Sequence, residues 1–164
     1  MTQMYTMDKT IHAEATAVIK APTSSVYAVL ADYRVGHAAV VPKPYFGDLI
    51  VEQGGQGAGT VIRSTLHAFG KALPLHSRVS EPKPGHVLME TDIETGQYTT
   101  FTFESLANGT QTRLTIASEF PTRPGFGGLM ERLMIPGFAR RLYKLELENI
   151  SEYVSHRTVV APAV

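Results

Sequence analysis

Residues 96–121 constrain the fold most, because they have the pattern of one long β-hairpin. Asn108-Gly109 near the middle is the strongest short turn signal, since both residues tolerate the positive φ of a type I′ turn. A slip of one residue would mix apolar and polar side chains, so this turn specifies the register. One face then pairs Phe101 with Ile116 and Phe103 with Leu114, and the other pairs Glu104 with Arg113 and Thr102 with Thr115.

A second hairpin is predicted over residues 60–80, with its turn at Gly70-Lys71. That turn separates the two strands into an apolar and a polar face. Other strands are predicted at residues 11–20, 45–52 and 86–94. In the second hairpin, Leu66 is expected opposite Leu75 and Ile62 opposite Val79.

Helical patterns lie on both sides of this run of strands. Two short helices, or a helix and a loop, are predicted between residues 22 and 44, the first beginning at Pro22. Residues 122–128 are predicted to be a loop. Residues 129–154 then have helical spacing, interrupted at Pro136-Gly137, where we expect a kink or two segments.

This order predicts an α+β helix-grip fold, in which a curved antiparallel sheet of about seven strands wraps around a long C-terminal helix. Two short helices follow the first strand. We expect one domain over residues 10–156, with flexible ends at residues 1–9 and 157–164. One helix cannot fill the concave side of such a sheet, so a cavity is expected between them.

Composition excludes several classes of function. Lys plus Arg and Asp plus Glu are 15 each, so no basic excess attracts nucleic acid. The chain has no Cys, which excludes disulfides and thiolate metal sites and suits the cytoplasm. No apolar run is long enough for an integral membrane segment, and no signal peptide is evident. A net charge near zero permits association, so a monomer or a homodimer is expected.

Several segments resemble the START-like, or SRPBCC, superfamily and its polyketide cyclase/dehydratase-like branch. They are VIKAPTSSVYAVLAD, GGQGAGT, RVSEPKPGHVLMET, NGTQTRLTI and FARRLYKLELENISEYV, and the resemblance covers roughly residues 10–155. It implies a seven-stranded sheet that grips the long helix around a hydrophobic pocket. Members bind lipids, plant hormones, polyketides or quinones, and a minority catalyse cyclisation or dehydration.

The main functional hypothesis is a binder or carrier of a hydrophobic small molecule, such as a lipid, a polyketide or an aromatic metabolite. The alternative is an enzyme of the cyclase/dehydratase type that uses the same cavity. No cofactor or metal is expected. The residues expected to line the cavity are Ile62, Leu66, Leu75, Phe101, Phe103, Leu114, Ile116, Met134, Phe138 and Leu142.

Glu90 and Asp92 are the candidate acids for catalysis, and the loop before Gln97 decides where they point. A two-residue loop, Thr95-Gly96, turns both acids inward, where burial would raise their pKa values. A three-residue loop ending at Gly96 turns both toward water. We expect the three-residue loop, because it avoids burying charge.

His37 is the remaining catalytic candidate, in the loop expected after the first short helices. Such loops often border a pocket entrance in this kind of fold. A lone histidine is more often a surface or packing residue, so its assignment stays open between these two roles.

Overall fold

The computed structural model describes residues 10–160. The helices are α1 (Thr23–Ala31), α2 (Gly36–Val40) and α3 (Gly125–Val160), and Ala107–Gly109 form a turn of 3₁₀ helix. The strands are β1 (Thr10–Ile19), β2 (Ile50–Gln53), β3 (Val61–Ala68), β4 (Lys71–Lys83), β5 (Val87–Asp92), β6 (Tyr98–Leu106) and β7 (Gln111–Pro121).

The strands form one seven-stranded antiparallel sheet in the order β1-β7-β6-β5-β4-β3-β2. Every neighbouring pair is a hairpin between consecutive strands, except that β1 pairs with β7. The long helix α3 packs across the inner face of this sheet. The α+β helix-grip prediction is therefore confirmed.

The long hairpin of β6 and β7 has the predicted register, with Phe101 opposite Ile116 and Glu104 opposite Arg113. Asn108 and Gly109 have φ values of 56° and 87°, as a type I′ turn requires. Ladder pairing ends at Leu106 and Gln111, so the connection is two residues longer than the predicted turn.

The β3–β4 hairpin differs from the prediction by two residues. Its turn is Phe69-Gly70, with φ values of 51° and 71°, and Leu66 lies opposite Leu73 rather than Leu75. A type I′ turn favours glycine at its second central position, which Gly70 occupies only in the observed turn. Because side chains alternate with a period of two, the shift leaves every residue on its predicted face. Ile62 likewise lies opposite Ser77 rather than Val79.

Small side chains on β1 allow α3 to approach the sheet closely. Ala13 and Ala15 on the inner face are 0% and 7% exposed, opposite Ser118 and Ile116 of β7, which are 1% and 0% exposed. The helix contributes the other side of this core, with Leu142, Leu147, Ile150 and Val154 all buried.

Three boundaries depart from the predictions. Residues 125–128 belong to α3 rather than to a loop, and α3 continues through Pro136 as one helix. It also extends to Val160, so residues 157–160 are helical, whereas residues 1–9 and 161–164 lie outside the described part of the chain. The strand predicted over residues 45–52 begins only at Ile50. Among the described residues, no helix is long and apolar enough to cross a membrane.

Candidate functional site

A tight connection between α1 and α2 directs His37 into the interior. The Asp32 carboxylate accepts hydrogen bonds from the backbone amides of Arg34 and Val35, at 3.1 and 3.2 Å. Gly36 then passes so close to α1 that a Cβ there would lie 2.3 Å from the Val29 carbonyl oxygen. His37, expected in a loop, therefore begins a helical turn that faces the sheet.

His37 is 2% exposed and has a fixed orientation. Its Nδ1 lies 2.8 Å from the carbonyl oxygen of Leu30, and because a carbonyl only accepts, Nδ1 carries a proton. The ring stacks on Tyr33 at 4.5 Å and meets the edge of Phe101 at 5.4 Å. Its Nε2 is left facing two carboxyl groups, at 3.4 Å from Glu90 Oε1 and 3.8 Å from Glu146 Oε1.

Glu90 points inward, so the expectation that it faces water is wrong. Thr91 pairs with Tyr98, and the Asp92 amide donates a hydrogen bond to the Gln97 carbonyl, so four residues, 93–96, separate the last opposed pair of the two strands. An even number has the same effect on strand faces as the two-residue alternative. Glu90 therefore lies opposite Thr99, beside buried Leu88 and Phe101. Its carboxylate accepts a hydrogen bond from the Tyr33 hydroxyl at 2.8 Å, which offsets part of the cost of burial.

Asp92 shares the face of Glu90 but has a local structural role. Its Oδ1 accepts hydrogen bonds from the backbone amides of Glu94 and Thr95 and from the Thr95 hydroxyl. Partial burial raises the pKa of Asp92, but the hydrogen bonds from Thr95, His76 and Glu94 outweigh it and hold the pKa below its ordinary value. Asp92 thus stabilises the loop and stays apart from His37.

Glu146 on α3 completes the cluster and was missed in the sequence. It is 6% exposed, and burial together with the negative charge of Glu90 raises its pKa to about 8. Glu146 is therefore a neutral carboxylic acid at pH 7. Its position was available as a signal, because it lies four residues from both Leu142 and Ile150, inside the apolar stripe of the helix.

A row of hydroxyl groups continues the site across the sheet. Thr99, opposite Glu90, shares a hydrogen bond of 2.6 Å with Ser118 on the next strand. The Tyr143 hydroxyl from α3 donates to Ser118 Oγ at 2.5 Å. Burial raises the pKa of Tyr143 to about 12, so its hydroxyl keeps its proton. The inner face therefore carries both an acid–base cluster and a polar row beside it.

The residues predicted to line a cavity fall into three environments. Ile62, Phe101, Phe103, Leu114, Ile116 and Leu142 are buried core residues, Leu66, Leu75 and Phe138 are half-buried, and Met134 is 49% exposed. Surface depressions of ≈ 480 and ≈ 360 Å³ lie on α3 and at the β3–β4 turn, and neither is lined by any of these residues. The six buried residues belong to the core between the sheet and α3, and Met134, at 49% exposed, lies outside this core.

The described residues form no metal-binding group. Across residues 10–160, no three His, Asp or Glu side chains are arranged so that they could hold a metal ion. A protonated Glu146 beside His37 is also a poor ligand, because metals bind the deprotonated carboxylate.

Residues 10–155 match the family described as polyketide cyclase/dehydrase and lipid transport. The chain belongs to this family. A search of curated proteins found no match. Among solved structures, KanY protein is 24% identical with a TM-score of 0.77, covering 90% of this chain and 99% of KanY.

Two enzymes have the same fold. The Zhui aromatase/cyclase from Streptomyces sp. R1128 is 22% identical with a TM-score of 0.77, covering 95% of this chain and 100% of that one. The second is a norcoclaurine synthase point mutant from Thalictrum flavum, in complex with a transition state analogue. It is 15% identical with a TM-score of 0.68, and the match covers 92% of this chain and 98% of that one. At these identities the likeness shows the fold.

Proposed function

We propose that this family member binds a hydrophobic, carbonyl-rich small molecule of the polyketide type and catalyses its cyclisation or dehydration. One observation carries the proposal, namely that the carboxyl group of Glu90 and the buried carboxyl group of Glu146, whose pKa is raised to about 8, both face Nε2 of His37. Two carboxyl groups in different environments, one buried at 8% exposure and one at 18%, can supply an acid and a base within one site. The family description and the fold of an aromatase/cyclase support the same chemistry.

The proposed roles follow from the burial of Glu146 and the greater exposure of Glu90. Glu90 removes a proton from the carbon next to a substrate carbonyl, and that carbon attacks a second carbonyl group to form a C–C bond. Glu146 donates its proton to the second carbonyl oxygen, which becomes a hydroxyl group. In a dehydration, Glu146 instead protonates the departing hydroxyl, which leaves as water.

His37 is proposed to return the proton from Glu90 to Glu146 after each turnover. Each turnover moves one proton onto Glu90 and one off Glu146. Nε2 of His37 lies within 3.8 Å of both carboxyl groups, while Nδ1 stays bound to the Leu30 carbonyl. Nε2 therefore accepts the proton from Glu90 and passes it to Glu146 without rotation of the ring.

A substrate reaches this cluster from the side of Glu90, whose side chain keeps 18% of its exposure while His37 and Glu146 keep 3% and 8%. The half-buried Leu66, Leu75 and Phe138 lie on the sheet and helix surfaces that approach the β3–β4 turn. The ring of Phe138 contacts those of Tyr45 and Phe69 there, so these three aromatic side chains border the proposed entrance.

A carrier without catalysis is the second candidate, and a different observation favours it. Leu73 is 39% exposed although it lies on the inner face of the sheet, next to Leu66. Covering such apolar surface with a ligand contributes about 25 cal/mol per Å². A lipid or an aromatic metabolite would bind there without needing Glu146.

The test uses a synthetic linear polyketone, with cyclised product measured by liquid chromatography and mass spectrometry. Replacing either inner acid, in Glu146→Gln or Glu90→Gln, should lower the rate about a hundredfold, since general acid–base groups contribute at least that much. The matched control is Glu104→Gln on the outer face, which should react like the wild type. Equal rates in all four proteins would contradict catalysis.

Native mass spectrometry of the protein purified from cells separates the carrier from the enzyme. A reproducibly bound compound that is retained unchanged by Glu146→Gln, together with no turnover by any protein, supports the carrier. A protein that carries no compound and binds no polyketone contradicts both candidates.

A further inference from the structure

The first three turns of α3 expose four large apolar side chains to solvent. Phe126 is 76% exposed, Leu133 67%, Leu129 51% and Met134 49%. Phe126, Leu129 and Leu133 are three and four residues apart, and Met134 is eight residues from Phe126, so the four lie on one side of the helix, opposite the stripe that packs on the sheet further along. Scattered apolar residues on a surface are ordinary, but a contiguous group like this one marks an interaction surface.

A basic band follows on the same side of the helix. Arg140, Arg141 and Lys144 surround a depression of ≈ 480 Å³, which is deepened where Gly137 has no side chain. Within the described residues, none of these three cations forms an ion pair. The only acid lining the depression is Glu148.

We propose that this outward side of α3, from Phe126 to Lys144, docks on the surface of an anionic lipid bilayer. A helix rises 1.5 Å per residue, so the apolar group and the basic band are centred about 15–20 Å apart along the axis. A tilted helix places the apolar group in the boundary between headgroups and acyl chains, and the cations then lie among the lipid phosphates.

Charge complementarity favours lipid over a second copy of this chain. A symmetric dimer formed on this side would bring two sets of three cations together with only Glu148 from each chain to balance them. An anionic bilayer supplies phosphate groups to all three cations at once. This inference stands apart from the proposed catalysis, because it uses none of the inward-facing residues.

The probe is sedimentation with vesicles made of equal parts phosphatidylcholine and phosphatidylglycerol, compared with phosphatidylcholine alone. The wild type should pellet with the anionic vesicles, and added salt should release it. Arg140→Glu/Arg141→Glu should weaken binding at least tenfold, since each cation near such a surface contributes roughly fivefold. Phe126→Ser/Leu133→Ser should weaken it by roughly a hundredfold.

Matched controls are Lys20→Glu and Val18→Ser, which remove an exposed cation and a half-exposed apolar residue from the opposite end and face of the domain. Both should bind vesicles like the wild type. Circular dichroism verifies that each variant is folded.

Three results would overturn the proposal. The first is a wild type that stays in the supernatant with anionic vesicles, and the second is binding that the α3 variants do not alter. The third is a dimer in size-exclusion chromatography that Leu133→Ser dissociates, which would assign this side of α3 to a second copy.

Discussion

The two halves of α3 have opposite relations to the rest of the molecule. In the second half, Leu147 and Ile150 are buried at 3% and 0%, and Asn149 donates a hydrogen bond to the Val40 carbonyl at 2.9 Å. In the first half, Phe126 and Leu133 are mostly exposed. One continuous helix therefore stabilises the fold with its second half, together with Ala139 and Leu142, and presents an apolar surface with its first three turns. The difference indicates that folding does not require the apolar side chains that the first half exposes.

A pair of identical substitutions provides the largest expected contrast between the halves. Leu147→Ala should lower the free energy of unfolding by about 4 kcal/mol, because it leaves a cavity in a packed core. Leu133→Ala should change it by no more than about 0.5 kcal/mol. Urea unfolding followed by circular dichroism measures both. Similar losses in the two variants would mean that the first half is also part of the core.

The second contrast concerns the pH dependence of stability, which the buried acid of the second half controls. Glu146 has a pKa of about 8 in the folded state and 4.5 when unperturbed. Between these values the folded protein holds a proton that the unfolded chain has released. The resulting contribution of Glu146 to the free energy of unfolding is complete below pH 4.5 and is lost as pH rises through 8.

From pH 5 to pH 9 the free energy of unfolding should therefore fall by on the order of 3 kcal/mol more in the wild type than in Glu146→Gln, whose amide does not titrate. Unfolding in urea at several pH values measures the two slopes. The exposed Glu148→Gln, two residues away, is the control and should keep the slope of the wild type. Parallel slopes for the wild type and Glu146→Gln would mean that Glu146 is ionised in the folded state.

The smallest expected effect on stability concerns Phe69 in the β3–β4 turn, whose ring contacts Phe138 in the first half of α3. Phe69 has a φ of 51°, a conformation that costs a bulky residue about 1 kcal/mol and that asparagine adopts more readily. Phe69→Asn creates an Asn-Gly turn and should stabilise the fold by on the order of 0.5 kcal/mol after the ring contact with Phe138 is lost, which raises the thermal midpoint by about 1–2 °C. A lower midpoint would show that this contact stabilises the first half of α3.

The sequence predicted best where local and long-range signals agreed. Asn108-Gly109 and the pairing of Glu104 with Arg113 both favour one register, and β6 and β7 have it. The β3–β4 turn has a single glycine, and placing Gly70 at the first or the second position satisfies the same face pattern. Only turn chemistry distinguishes these two registers, because a type I′ turn prefers glycine at its second central position.

The candidate site was harder to predict because it depends on contacts between distant segments. The cost of burying Glu90 favoured a loop that turns it outward, but Tyr33, fifty-seven residues away, donates the hydrogen bond that offsets this cost. Nothing local to β5 shows that partner. Glu146 was visible as an acid in an apolar stripe, yet the side chains that it faces, His37 and Glu90, belong to α2 and β5.

The pairing of β1 with β7 also determines how the chain can acquire its structure. Every other pair in the sheet joins consecutive strands, but Thr10 pairs with Pro121, across most of the chain. During synthesis on the ribosome, β2 to β6 can form hairpins one after another, while β1 must wait until β7 has emerged. Because closing so long a loop precedes any gain from contacts, this step is expected to limit the folding rate. Although β1 precedes the other strands of the sheet in the chain, it is thus expected to be the last to pair.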